Sequence, residues 1–174
     1  MSNIQDRVFQ NLSPLLGLNL SVARHAGNVR LLHFGGISGG TDQCGQYALH
    51  LQCPWRLETS EMILTGLYDW YIPADTDANT DDDWDAANGG SLQEAVLREL
   101  MGDQTGLSRS IVNRTDRLVV TQVSADTFGG FSLDLTEGVR LSVFPSGSRG
   151  EQWRVFQPDT ASEHFVVGGT LGTV

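Results

Sequence analysis

The feature that most constrains the fold is an alternation of apolar and polar residues with a period of two, which begins near residue 117. In FSLDLTE, for example, single polar residues separate Phe131, Leu133 and Leu135. Successive side chains of a strand point to opposite faces, so the sequence predicts an antiparallel meander over residues 117–168 with one buried face. The alternating segments are RLVVTQVSAD, FSLDLTE, VRLSVFP, EQWRVFQP and EHFVVGG.

Three segments in the first half of the chain also have strand character: NVRLLHFGG, QYALHLQCPWRLE and EMILTGLYDWYIP. Pro54 interrupts the second segment and predicts a bend or bulge there. The third is expected to continue as a strand to its final proline, with Met62 and Tyr68 on one face. Trp55 and Trp153 each directly precede an Arg, so each Trp is predicted to enter the core while its Arg faces outward.

The N-terminal segment IQDRVFQNLSPLL predicts a helix. Its apolar residues Ile4, Val8, Leu12 and Leu16 recur at helical spacing. Pro14 should limit this helix or start a second turn, because proline cannot continue the hydrogen-bond pattern of a helix interior.

The clearest helix of the chain is predicted near residues 91–102. Ser91 is a candidate N-cap, and Glu94 three residues later completes the pattern of a capping box. Gly102 is a candidate C-terminal cap. The expected apolar stripe consists of Leu92, Val96, Leu97 and Leu100.

The fold class predicted from these elements is α+β, with a mainly antiparallel sheet, a C-terminal meander, an N-terminal helix and the capped helix. A chain of 174 residues suits a single domain, here 1–174, and can bury a core without disulfides. The core is expected to include Val119, Phe131, Leu133, Leu141, Val143, Trp153 and Val167.

The charge balance limits the classes of partner. The chain has 21 acidic residues against 11 basic ones, which gives a formal net charge of −10. This argues against binding nucleic acid through phosphates and favours a basic protein partner, a cation or simply solubility. All basic residues are Arg, so Schiff-base and P-loop lysines are excluded.

Neither a signal peptide nor an apolar run long enough to span a membrane is visible, and we expect a cytoplasmic protein.

The acidic loop at 75–90, DTDANTDDDWDAANGG, first suggests a calcium site, because oxygen donors occupy alternate positions from Asp75. An EF-hand loop requires Gly at its sixth position and Glu at its twelfth. Here those positions hold Thr80 and Ala86, so the motif fails. We therefore expect no metal and no cofactor.

Two other interpretations of the acidic loop remain open. It is either a solvated connection between a strand and a helix, or a recognition surface. In the second case Asp81, Asp82, Asp83 and Asp85 supply the charge and Trp84 supplies an aromatic anchor.

Motifs for catalysis are weak. No CxxC or HExxH is present. The glycine-rich run GISGG at 36–40 has the GxSxG spacing, but no clear helix follows it, so it does not predict a nucleophile elbow, and we predict no catalytic residue. A zinc site built from His33, His50 and Cys53 is unsupported. His50 and Cys53 are three residues apart, and on a strand this spacing points their side chains to opposite faces. An alternative site would combine His50 with Arg56 and Asp69 on the face of the sheet.

Several segments together resemble a group of small bacterial proteins of unknown function. These segments are YALHLQCPWRLE, the region LVVTQVSADTFGGFSLDLTEGVRLSVFP, EQWRVFQP and HFVV. The resemblance implies no catalytic residue. In general character, small acidic α+β proteins of this kind are also similar to immunity proteins that neutralise bacterial toxins.

The function predicted from the sequence is that of a non-enzymatic binding protein, which presents the acidic loop to a basic protein partner. A toxin-neutralising immunity protein is the concrete version. The alternative is a small-molecule-binding protein or a hydrolytic enzyme with a site on the sheet face, built from His50, Arg56 and Asp69.

Overall fold

The computed structural model describes residues 3–39, 43–75, 90–105 and 110–168. Within them the chain forms two α-helices, α1 (Ile4–Leu12) and α2 (Leu92–Met101), and short 3₁₀ helices at Ser13–Leu15, Leu67–Tyr71 and Thr136–Gly138. The strands are β1 (Leu20–Ala26), β2 (Val29–Phe34), β3 (Tyr47–Leu51), β4 (Trp55–Glu58), β5 (Ile63–Gly66), β6 (Ile111–Val112), β7 (Val120–Ala125), β8 (Phe131–Leu135), β9 (Arg140–Val143), β10 (Glu151–Phe156) and β11 (Phe165–Gly168).

The strands form two antiparallel sheets, which confirms the predicted α+β class. One sheet has the order β11-β10-β3-β2-β1-β6, and the other has the order β5-β4-β9-β8-β7. A single cluster of buried apolar residues includes side chains from both sheets and both helices. Neither helix among the described residues combines the length and apolarity that a membrane span requires.

The bend predicted at Pro54 is confirmed, and it moves the chain from one sheet to the other. β3 ends at Leu51, and after three intervening residues β4 begins in the second sheet. The Pro54 carbonyl accepts a hydrogen bond from the backbone N–H of Phe144 at 2.8 Å, so it remains paired at the bend. Trp55, the first residue of β4, is 2% exposed and enters the core as predicted.

The predicted meander is present as β7, β8 and β9, which are neighbours in the five-stranded sheet. After β9 the chain crosses to the six-stranded sheet, where β10 and β11 pair with each other and β10 pairs with β3. The crossing segment is held by Gln152, whose side-chain oxygen accepts from the backbone N–H groups of Ser146 and Gly147. The last two strands therefore extend the other sheet.

Six of the seven predicted core residues are buried, but Val119 is only partly buried. Its neighbours Leu118 and Val120 are buried instead, at 2% and 1% exposure. Leu118 has a φ of +62°, which turns the backbone out of the extended conformation just before β7. The alternation of buried and exposed side chains is therefore shifted by one residue here, which buries Leu118 and Val120 instead of Val119.

The prediction that EMILTGLYDWYIP forms one strand is wrong beyond Gly66. β5 ends there, and the next five residues form the 3₁₀ helix Leu67–Tyr71. The carboxylate of Asp69 accepts hydrogen bonds from the backbone N–H of Gly66 and the hydroxyl of Thr65, so a local cap replaces strand pairing. Met62 and Tyr68, expected on a common strand face, are 61% and 73% exposed.

The N-terminal helix is confirmed, with Val8 and Leu12 buried. Leu16, the fourth residue of the predicted stripe, is 44% exposed, and Leu15 is fully buried in its place. The helix tightens into a 3₁₀ turn that includes Pro14, and this change of period rotates Leu16 away from the core.

Helix α2 is capped as predicted, but it buries a different face. The Ser91 hydroxyl accepts a hydrogen bond from the backbone N–H of Glu94, and Gly102 adopts the left-handed conformation at φ +64°. Of the predicted apolar stripe, only Leu97 is fully buried. The buried residues of this helix are Gln93, Glu94, Leu97 and Met101.

Candidate functional site

A small cleft lies where the turn between β1 and β2 and the start of β4 meet α2 and the 3₁₀ helix Leu67–Tyr71. Its cavity volume is only about 10 Å³, roughly the space that one water molecule needs, and it is partly open to solvent. The lining residues are His25, Gly27, Asn28, Val29, Arg30, Trp55, Leu67, Trp70, Tyr71 and Gln93.

Arg30 is the buried cation at the base of this cleft. Arg30, Leu32 and Phe34 are two residues apart along β2, so their side chains point to the same, core-facing side of the strand. Arg30 is therefore only 2% exposed. Both terminal nitrogens of its guanidinium donate to the Oε1 atom of Glu94 at 3.0 Å, and one also donates to the side-chain oxygen of Gln93. Burial lowers the pKa of Arg30, and the negative charge of Glu94 opposes this shift.

The first turn of α2 supplies the groups that hold this guanidinium. Gln93 and Glu94 lie two and three residues after the Ser91 cap, and both are 2% exposed. The side-chain amide of Gln93 also donates to the carbonyl of Gly66 at 2.7 Å. The same residue therefore connects α2 to the end of β5 and positions the 3₁₀ helix above the cleft.

Aromatic rings form the walls of the cleft. The ring centroids of His25 and Trp70 are 3.9 Å apart, and the guanidinium carbon of Arg30 lies 5.7 Å from the Trp70 ring. The Nε2 atom of His25 is 3.9 Å from Oε1 of Glu94. The lining includes no Ser, Thr or Cys, so it offers none of these side chains as a nucleophile.

Two residues that line the cleft each have a buried N–H group with no acceptor within the described part of the protein. These groups are Nε of Arg30 and Nε1 of Trp55, and both side chains are 2% exposed. A buried donor without a partner is costly, so nearly all such groups in proteins are paired with protein, water or ligand.

An exposed apolar surface lies beside the cleft. Tyr68, Tyr71 and Ile72 are 73%, 59% and 43% exposed, and we call these three residues the tyrosine patch. Tyr71 belongs to both features, because it also lines the cleft. Two further exposed apolar residues, Met62 and Ile63, precede the patch in the sequence.

The two ends of the acidic loop meet at the tyrosine patch. The backbone N–H of Leu92 donates to the carbonyl of Ile72 at 2.7 Å, and the N–H of Ala74 donates to the carbonyl of Gly90 at 2.8 Å. The residues that flank the acidic loop are therefore hydrogen-bonded to each other, next to exposed aromatic side chains.

The predicted recognition residues Asp81, Asp82, Asp83, Trp84 and Asp85 lie outside the described residues. The structure does, however, describe the two anchoring points of the loop that carries them. Sequence patterns alone did not indicate that these anchors adjoin an aromatic cleft.

The alternative site residues His50, Arg56 and Asp69 have separate neighbours, and none of them lines the cleft. His50 packs edge-on against Phe156, and burial lowers the pKa of His50 to about 4. Arg56 pairs with the carboxylate of Glu58 at 2.5 Å, and Asp69 caps the 3₁₀ helix. These contacts therefore do not join the three residues into one site.

The residues considered for a zinc site are likewise held by other contacts. Nδ1 of His33 accepts from the backbone N–H of Gly45 at 3.3 Å, and burial lowers the pKa of His33 to about 4. Burial also raises the pKa of the Cys53 thiol to about 12. Across the described ranges, no group of three or more His, Cys, Asp or Glu residues is arranged to hold a metal ion.

The residues of the cleft were missed in the sequence, although one signal was present. Arg30 occupies an apolar face of NVRLLHF, where a charged residue indicates a buried partner. That partner, Glu94, was instead interpreted only as part of a capping box. Its role as a counter-ion requires α2 to pack against β2, and local spacing does not encode that contact.

The chain matches no protein-family model, no curated protein and no solved structure. These comparisons therefore assign neither a family nor a function. The functional argument rests on the geometry of the described residues and on the charge of the acidic loop.

Proposed function

We propose that this chain is a non-enzymatic bacterial binding protein, which presents the acidic loop and the tyrosine patch as one surface to a basic protein partner. The observation that carries the proposal is the joining of the loop's two ends at the tyrosine patch. The residues that flank the six Asp residues of the loop in the sequence are thus bonded to each other beside exposed aromatic side chains.

The two parts of this surface have different roles in binding. Carboxylates attract a basic partner over distance and accelerate association, an effect that salt screens. Exposed tyrosines provide large contact areas at a low entropic cost, and Tyr and Trp are enriched among the residues that dominate binding energy. Tyr71 and Trp84 are the proposed anchors, and the Asp residues form the charged rim.

A toxin-neutralising immunity protein is the specific form of this proposal. Support for it comes from the small acidic α+β fold and the net charge of −10, which suits a basic toxin. The likeness to immunity proteins is one of general character, so the partner's chemistry, a basic protein surface, is the part that the charges and the patch support.

The proposal is tested by affinity capture from the native host's lysate, followed by binding kinetics with the captured protein. Three forms of the full chain are compared: wild type, a variant with Asn at all six loop Asp positions, and Tyr71→Ala. We expect a basic partner whose association with the Asn variant is slower and less sensitive to salt. For Tyr71→Ala we expect about tenfold faster dissociation, since loss of an aromatic anchor acts mainly on the lifetime of the complex. Trp84→Ala should weaken binding similarly.

Two controls distinguish binding by this surface from non-specific apolar contacts and from non-specific attraction by negative charge. Phe128→Ala removes an aromatic residue that is 78% exposed, but located between β7 and β8, away from the β5 edge. The second control replaces the exposed carboxylates Asp116, Asp159 and Glu163 with amides. Equal binding by every variant, or capture of no basic protein, would remove the loop and the patch from the function.

A further inference from the structure

We propose that β11 is a docking edge for a second copy of this chain, in which the two β11 strands pair antiparallel and join two six-stranded sheets into one. This inference is independent of the proposed function. β11 lies at an edge of the six-stranded sheet, whereas the tyrosine patch follows β5 of the other sheet.

The two sheets have four edge strands, and three of them are closed by hydrogen bonds within the chain. The edges are β11 and β6 in one sheet, and β5 and β7 in the other. On β7, Val120 donates its backbone N–H to the carbonyl of Leu18 and accepts from the N–H of Gly17, both at 2.9 Å. On the two-residue strand β6, the N–H of Val112 donates to the carboxylate of Asp103 at 2.9 Å. These bonds occupy backbone groups that an added strand would need.

The edge at β5 is closed in the same way, but the edge at β11 is open. Gly66, at the end of β5, donates its N–H to the carboxylate of Asp69, and its carbonyl accepts from the side chain of Gln93. Within the described part of the chain, the backbone of β11 is hydrogen-bonded only to β10. Alternate residues of an edge strand direct their N–H and C=O groups away from the neighbouring strand, so β11 presents unpaired groups on its outer side.

β11 also lacks the features that commonly keep edge strands from pairing, which are charged residues, prolines and bulges. Its sequence is FVVG, in which no residue is charged and three are of types that favour strands. The irregularity in its pairing with β10 adds Gln152 to β10 and leaves β11 itself regular. β11 is therefore a short but continuous strand with an unprotected edge.

Charge and symmetry identify a second copy as the occupant of this edge. The net charge of −10 opposes most other contacts between two copies, but pairing of β11 with itself places uncharged side chains opposite one another. No Asp, Glu or Arg follows Glu163 in the sequence, so this strand offers a basic partner no carboxylate. Two copies of one strand in antiparallel pairing are related by a two-fold axis, so the edge is complementary to itself.

The test is sedimentation velocity of the full chain over a wide range of concentrations at physiological ionic strength. Val166 is 39% exposed, and in the joined sheet its side chain lies on the same face as its counterpart in the second copy. The variants are therefore Val166→Asp and Val166→Lys. Ser124→Asp and Ser124→Lys are the matched controls, because Ser124 is exposed on the closed edge strand β7. Circular dichroism and the melting temperature confirm that each variant is folded.

We expect wild type and both Ser124 variants to form a dimer as the concentration rises. The dimer should be weak, because a strand of four residues covers far less than the roughly 1,200–2,000 Å² that a stable interface buries. Each Val166 variant alone should associate about tenfold more weakly, since like charges then meet across the two-fold axis. An equimolar mixture of the two Val166 variants should dimerise again, because Asp then meets Lys. Hydrogen exchange of the β11 amides should slow with concentration in wild type.

Three results would overturn the proposal. The first is a wild-type chain that stays monomeric at every concentration. The second is a dimer that the Val166 variants form equally well, or that their mixture does not restore. The third is protection of all the β11 amides that does not change with concentration, which would show that the edge is covered within one chain.

Discussion

The guanidinium of Arg30 and the carboxylate of Glu94 form a buried ion pair, with Nη1 and Oε1 3.0 Å apart and both side chains almost inaccessible to solvent. The pair joins β2 of the six-stranded sheet to the first turn of α2, across 64 positions of sequence. Since α2 follows directly on the acidic loop, this contact holds one end of the proposed binding surface against the sheet.

The first prediction concerns the stability contributed by this contact. Glu94→Gln removes the counter-ion and leaves a buried positive charge, so we expect a loss of about 3–5 kcal/mol in the free energy of unfolding. Glu137→Gln is the control, because the Arg117–Glu137 pair is roughly half exposed and should contribute less than about 1 kcal/mol. Urea unfolding of both variants measures the difference. Similar losses in the free energy of unfolding for the two variants would show that the buried pair contributes no more stability than the exposed pair.

The second prediction compares two buried tryptophans whose N–H groups differ in pairing. Trp153 donates to the carbonyl of Gly129, whereas Trp55 has no acceptor among the described residues. Both Trp→Phe changes reduce buried area, but only Trp153→Phe also breaks a hydrogen bond and strands a carbonyl. We expect Trp153→Phe to be more destabilising by about 1–2 kcal/mol in urea unfolding. The opposite order would indicate that the Trp55 N–H is satisfied in the unbound protein.

The third prediction concerns the two thiols. Burial raises the pKa of Cys53 to about 12, and its side chain is 2% exposed, so it should resist alkylation in the folded protein. Cys44 is only partly buried. We expect iodoacetamide at pH 8 to label Cys44 first, and Cys53 only after unfolding, as read by peptide mass spectrometry. Cys44→Ser should abolish the labelling of the native state; rapid labelling of Cys53 would contradict its burial.

The fourth prediction concerns pH. Burial, with repulsion from Arg24, lowers the pKa of His33 to about 4, compared with about 6.5 in an unfolded chain. Between these values the unfolded state binds a proton that the folded state does not. Stability attributable to His33 is therefore fully present above pH 6.5 and decreases as the pH falls toward 4, by up to about 3 kcal/mol.

The test of this pH dependence is urea unfolding at several values between pH 7.5 and 4.5. His33→Asn is the matched variant, since the Asn side-chain oxygen can replace Nδ1 as acceptor for the Gly45 N–H. We expect the variant to lose less stability over this range than wild type. Parallel curves would show that His33 is not responsible for the pH dependence.

The confirmed parts of the fold share a local origin. Alternation within FSLDLTE and VRLSVFP, the Ser91 cap, the Gly102 terminus and the bend at Pro54 each depend on neighbouring residues. The predictions of strand residues were wrong where a local backbone feature shifted or ended the alternation of buried and exposed side chains. Leu118 in a left-handed conformation shifted the alternation at Val119, and the Asp69 cap ended the strand that began at Ile63.

Long-range packing decided the remaining features. The sequence contains the capped helix and the acidic loop as recognisable patterns, but spacing does not reveal that α2 buries Gln93 and Glu94 against β2. It also does not reveal that Trp55 and Arg30, from different sheets, line one cleft. Local patterns determine which segments become helix or strand and which face is apolar. Burial of a charge such as Arg30 selects a distant partner, because only the assembled core makes an unpaired charge costly.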